Sequence, residues 1–168
     1  RRLPAVLAAD VVGYSRLMAV DEADTLAVLK SRRKQVLEPL VSKYQGRIFK
    51  VTGDGVLAEF GSAVNAVQCA VDLQQRMASA NDGLAGDRHI VLRVGVNLGD
   101  VMVEASDLYG DGVNIAARLE GMAEGTRANR ARVHGSRPCV LSRAESRTPT
   151  SNDSRRYAAR WLRRASSG

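Results

Sequence analysis

Asp10 lies inside an apolar run, PAVLAADVV, where a carboxylate is costly unless it is paired or holds a cation. Asp54 stands between two glycines, in Gly53-Asp54-Gly55. If the segments that carry them become neighbours, the two carboxylates converge on one edge of a sheet. Converging carboxylates suit Mg²⁺, which takes oxygen ligands and leaves its other positions to water and substrate phosphates. Each acid alone has a plainer explanation: a turn residue for Asp54, a strand end for Asp10. Lys50 precedes Asp54 on the incoming strand and alternates with Ile48 and Thr52, so it is expected on their face. A second set follows. Asp107 falls in a polar stretch, and Asn114 and Arg118 are spaced i, i+4, which places them on one face of a helix.

The elements that must position these residues can be read from periodicity. Residues 4–12 form a short apolar strand ending near Gly13. Residues 22–44 read as one amphipathic helix with Asp21 as its N-cap, an apolar stripe from Leu26 to Tyr44, and a stop at Gly46. RIFKVT (47–52) and VLAEF (56–60) are strands about a Gly-Asp-Gly hairpin signal. A second helix, 63–80, follows Ser62, with Val64, Val67, Ala70, Val71 and Met77 on its apolar face. Residues 89–97 and 101–104 read as another strand pair, and a polar loop (105–112) leads to a third helix at about 113–123. The order β-α-β-β-α-β-β-α predicts an α+β fold. Its first six elements match the ferredoxin-like, split-βαβ plan, an antiparallel sheet with helices on one face.

At 168 residues and 45% hydrophobic, the chain can bury one domain's core, and 4% aromatic content makes that core aliphatic. Two cysteines, Cys69 and Cys139, give neither a disulfide framework nor metal-ligand spacing and fit a reducing compartment. No apolar run is long enough to span a membrane, so a cytoplasmic protein with no membrane partner is expected. The net charge of +7 would invite nucleic acid as a partner, but its distribution argues against that. Residues 127–168 hold eleven Arg against two acids, Glu145 and Asp153, so all of the positive excess lies there. Residues 1–125 are the expected domain. Residues 126–168 are an Arg/Ser-rich tail without sustained period, expected to be disordered or the product of a shifted reading frame.

Four segments carry a family resemblance: AADVVGYSRLM (8–18), FKVTGDGVLAEF (49–60), RVGVNLGDVMVE (93–104) and DLYGDGVNIAARLE (107–120). Over about residues 2–125 the chain resembles the catalytic domain of class III adenylate/guanylate cyclases, in their bacterial branch. The resemblance implies that Asp10 and Asp54 bind two metal ions, Mg²⁺ or Mn²⁺, and that the backbone of Val11, Val12, Gly13 and Tyr14 holds the triphosphate. It implies that Lys50 and Asp107 read the purine. Lys donates to adenine N1 and Asp accepts from the exocyclic amine, which makes ATP the expected substrate. It further implies that Asn114 positions the ribose, that Arg118 stabilises phosphate charge, and that a homodimer assembles two sites, one subunit giving the metal aspartates and the other the remainder. The expected product is cyclic AMP, in intracellular signalling. The family continues with further strands, one bearing a lysine for the triphosphate. These strands are unreadable here, so the domain is expected to be incomplete. That departure leaves a second reading, a catalytically impaired cyclase-homology module that dimerises or regulates.

Overall fold

A computed structural model of the chain describes residues 4–99 and, beyond them, 102–104, 107–109, 113–114, 116–117, 132–133 and 139–141. Its centre is strand β1 (Ala5–Val11), which pairs antiparallel with β3 (Gly55–Phe60) on one side and β4 (Leu92–Leu98) on the other. Strand β2 (Gly46–Thr52) completes a hairpin with β3. This is the expected antiparallel split-βαβ arrangement. The loop is Gly53-Asp54, with Gly53 at φ 59°, a conformation that costs glycine nothing. Gly55 already belongs to β3, so the loop is Gly-Asp rather than Asp-Gly.

The segment read as a single helix has more parts. A short helix α1 (Tyr14–Val20), not anticipated, precedes α2 (Glu22–Arg32). Asp21 caps α2 as expected, accepting from the Asp24 amide at 2.9 Å. A π-helical turn, Arg33–Leu37, then leads into α3 (Glu38–Lys43). The wider turn breaks the three-and-four rhythm. Leu37, Leu40 and Val41 are buried, whereas Leu26 is exposed. The chain leaves α3 through Gln45 at φ 56°, so Gln45, not Gly46, takes the left-handed position. Gly46 is small for another reason: a Cβ there would lie 2.4 Å from the Phe60 ring.

Helix α4 (Ala63–Ala80) starts at Ser62, whose hydroxyl accepts from the Asn65 amide. It buries Ala66, Val67, Cys69, Ala70, Leu73 and Met77, while Val64 and Val71 are only partly covered. These side chains meet Ala5, Leu7, Ala9 and Val11 of β1 and Phe60, Val94 and Val96 of its neighbours in the main core. On the opposite face a smaller cluster forms: Val6 and Ala8 with Ala116, flanked by Phe49, Leu57 and Val113. Residues 113, 114, 116 and 117 are helical, so the third helical segment lies across the sheet from α4 and the helices do not all share one face.

Two expectations about the later strands are corrected. Strand β5 (Met102–Glu104) does not pair with β4; it forms its own ribbon with β6 (Asp107–Tyr109). Asp107 therefore opens a strand instead of sitting in a loop. Nor are strands absent beyond residue 125. β7 (Arg132–Val133) and β8 (Cys139–Leu141) extend the sheet to the order β2-β3-β1-β4-β8-β7. β8 satisfies the outer backbone edge of β4, pairing Val94 with Leu141 and Val96 with Cys139. Elements of two and three residues are too short to show a period. The rest of the expected 126–168 tail lies outside the described residues.

Candidate active site

The hairpin brings Asp54 to the end of β1, where Asp10 stands. Asp54 turns in from the hairpin, and its Oδ2 accepts from the Val11 amide at 3.1 Å, one residue past Asp10. Both acids are half-buried. The chain then leaves the sheet: the Val12 amide donates to Val91 O at 2.8 Å, Gly13 takes φ 68°, and α1 begins at Tyr14. The turn Val11–Tyr14 is thus pinned to β4 on one side and to the hairpin on the other.

Asp10 has a partner that the motifs did not single out. Arg93 sits directly across from it in the β1–β4 register. Its Nε donates to Asp10 Oδ1 at 2.8 Å and its Nη2 donates to Oδ2. The side chains are 16% and 20% exposed, so water screens the pair only partly. A signal was available: a charged residue opening the apolar run RVGV must find a partner, and Asp10 faced the same problem.

Lys50 shares the face of Thr52, as expected, but not that of Ile48. A β-bulge between Ile48 and Lys50 shifts the β2–β3 register, so Ile48 opposes Ala58 while Lys50 opposes Leu57. Directly opposed residues share a face. Ile48 therefore points with Ala58 to the main core, and Lys50 points with Leu57 to the face that carries Asp10, Arg93, Val113 and Ala116. Bulges re-aim side chains in this way. Strand β6, which Asp107 opens, lies beside β2. Asn114 is exposed on the helical segment that Val113 and Ala116 fasten to Val6 and Ala8. Arg118 lies outside the described residues.

Among the described residues no three His, Cys, Asp or Glu side chains gather into a metal-binding group; the acids that converge are the pair Asp10 and Asp54. Two carboxylates beside a backbone turn nevertheless suit a hard divalent cation that completes its shell with water and phosphate oxygens. That Asp10 already draws a guanidinium with both oxygens shows that the position favours positive charge. A cavity of about 130 Å³ lies on the other face, between α2 and the hairpin, with Asp54 at its edge and Leu29, Leu73 and Met77 in its lining. It backs the carboxylate site and is separate from the face that presents Lys50.

The comparisons with known proteins agree with one another. The model of the adenylate and guanylate cyclase catalytic domain matches residues 4–150, a span that runs past residue 125. "Putative adenylate cyclase 3" of Rhizobium meliloti is 69% identical over 124 residues, 74% of this chain and 21% of that protein. "Adenylate cyclase" of Streptomyces coelicolor is 36% identical over 123 residues, 73% of this chain and 30% of that protein. The chain thus spans less than a third of either relative. The crystal structure of an adenylate/guanylate cyclase/hydrolase from Silicibacter pomeroyi is 44% identical, with a TM-score of 0.68, over 72% of this chain and 70% of that one.

Proposed function

The chain belongs to the adenylate and guanylate cyclase catalytic domain family, and on that premise we propose that it converts ATP to 3′,5′-cyclic AMP and pyrophosphate in the cytoplasm, at the interface of a homodimer. The observation that carries this reading is the meeting of Asp54 with the Val11 amide beside Asp10, which brings the second acid and the Val11–Tyr14 turn to the strand end that carries the first. In the reaction the ribose 3′-hydroxyl attacks the α-phosphorus in line, and pyrophosphate leaves.

The residues divide the work. Asp10 and Asp54 would hold two Mg²⁺ or Mn²⁺ ions, which when bound supply charge neutralisation at the phosphates and a more acidic 3′-hydroxyl. The triphosphate rests against the Val11–Tyr14 turn, on the amides of Gly13 and Tyr14, since those of Val11 and Val12 are taken by Asp54 and Val91. Lys50 donates to adenine N1 and Asp107 accepts from the exocyclic amine. Two supports for that pair are the bulge that aims Lys50 away from the main core and the position of β6 beside β2. Asn114 orients the ribose, and Arg118 spreads its planar fork across phosphate oxygens. The acid pair and the Lys50–Asp107–Asn114–Arg118 set come from different copies, so a two-fold dimer has two equivalent sites.

Guanine presents the opposite donor and acceptor at both base contacts. Each mismatch leaves a polar group unpaired, at about 1–3 kcal/mol, so ATP should be preferred by on the order of a hundredfold. Competition between ATP and GTP, with the cyclic products separated by chromatography, is the test. Equal use of the two, or a preference for GTP, would refute the assignment of Lys50 and Asp107.

A further inference from the structure

We infer that Arg93 is a built-in counter-cation for Asp10, one that a divalent metal must displace before the site is loaded. The inference rests on the metal reading of Asp10 and Asp54 and extends it to a residue which that reading does not use. Arg93 takes both oxygens of the Asp10 carboxylate, Nε on Oδ1 at 2.8 Å and Nη2 on Oδ2. A cation between Asp10 and Asp54 needs at least one of those oxygens. The guanidinium and the metal therefore compete for the same lone pairs.

The geometry makes the competition specific. β1 and β4 place the two residues directly opposite each other, so the ion pair needs no rearrangement of backbone. Asp54 is meanwhile held by the Val11 amide, so it stays at the strand end beside Asp10 without metal. Two carboxylates kept at one strand end repel each other, and Arg93 offsets that charge until metal arrives. A second cross-strand arginine pair offers an internal control. Arg47 opposes Glu59 on the same face, with Nε to Oε1 at 2.8 Å, but toward the other end of the β2–β3 hairpin from Asp54.

The test is Mn²⁺ binding to the purified chain without nucleotide, by calorimetry and by electron paramagnetic resonance, with thermal unfolding in parallel. Arg93→Met should bind Mn²⁺ about tenfold tighter than wild type, since a competing cation is gone. Its metal-free form should melt at a lower temperature, and Mn²⁺ should raise that temperature by more than in wild type. Arg93→Lys, a point charge that does not span both oxygens, should fall between them, and it carries the test if Arg93→Met fails to fold. Arg47→Met should bind as wild type does. Wild-type affinity equal to or tighter than that of the folded Arg93 variant would overturn the competition and leave the metal reading standing. If neither wild type nor the Arg93 variants bind Mn²⁺, the metal reading falls and the inference falls with it.

Discussion

Strand β1 separates two faces that share one backbone and differ in what they ask of their side chains. Ala5, Leu7, Ala9 and Val11 point to the main core beneath α4 and are all buried. Val6, Ala8 and Asp10 point the other way, where only the first two are covered, by Ala116 and its neighbours. Beyond Ala8 that face turns polar, with Asp10, Arg93 and Lys50. The period-two alternation of a strand thus keeps a sealed aliphatic layer behind a chemical one. Charge is tolerated on the second face because it is paired there, Asp10 with Arg93 and Glu59 with Arg47.

Substitutions on the two faces should therefore fail differently. Asp54→Ala, and equally Asp10→Ala, should lower turnover by about a thousandfold, the scale of losing a preorganised charged group in the transition state. Each should keep a folded chain by circular dichroism. Near-native turnover in either variant would remove the acids from the chemistry. Phe60→Ala, on the sealed face, should instead cost about 3–5 kcal/mol in urea unfolding, because a fully buried ring leaves a cavity. A cost under about 1 kcal/mol would mean that this face is not close-packed.

Lys50→Glu with Asp107→Cys should erode the ATP preference, by up to about a hundredfold in the ratio of kcat/KM for ATP to that for GTP, with little effect on unfolding. Tyr44→Phe tests a polar tie at the margin of the sealed face. The Tyr44 hydroxyl donates to Asp72 at 2.5 Å, joining the end of α3 to α4, and its loss should cost about 1 kcal/mol. Burial pushes the phenol's pKa up, and the Asp72 hydrogen bond adds to the shift.

A pH effect marks the sealed face. Burial pushes the Cys69 thiol from 9.0 up to about 12. Below pH 9 both folded and unfolded chains keep the proton, and stability gains no pH dependence from this group. Above it the unfolded chain ionises first, so stability should decline from about pH 9 toward 12. Urea titrations should show a steeper alkaline loss for wild type than for Cys69→Ala. Matching slopes would place the thiol in contact with water.

How much of this was legible in the sequence depended on the range of the interaction. The β1 run, the hairpin signal and the Asp21 and Ser62 caps were readable, because each depends on a few adjacent residues. The π-helical turn at Arg33–Leu37 was not, because tertiary packing fixes it and no composition marks it. The bulge that re-aims Lys50 was hidden for the same reason: perfect alternation in Ile48, Lys50 and Thr52 concealed an extra residue, Phe49. Arg93 was missed because its meaning lies in the β1–β4 register. β7 and β8 were missed because segments of two and three residues have no readable period.

The central claim, that this face makes cyclic AMP, is tested most directly by incubating the purified chain with Mn²⁺ and ATP and measuring cyclic AMP and pyrophosphate together. The expected result is formation of the two in equal amounts, at a rate about a thousandfold lower in Asp54→Ala. No cyclic AMP from a folded, dimeric wild-type chain, or the same yield from Asp54→Ala, would contradict it.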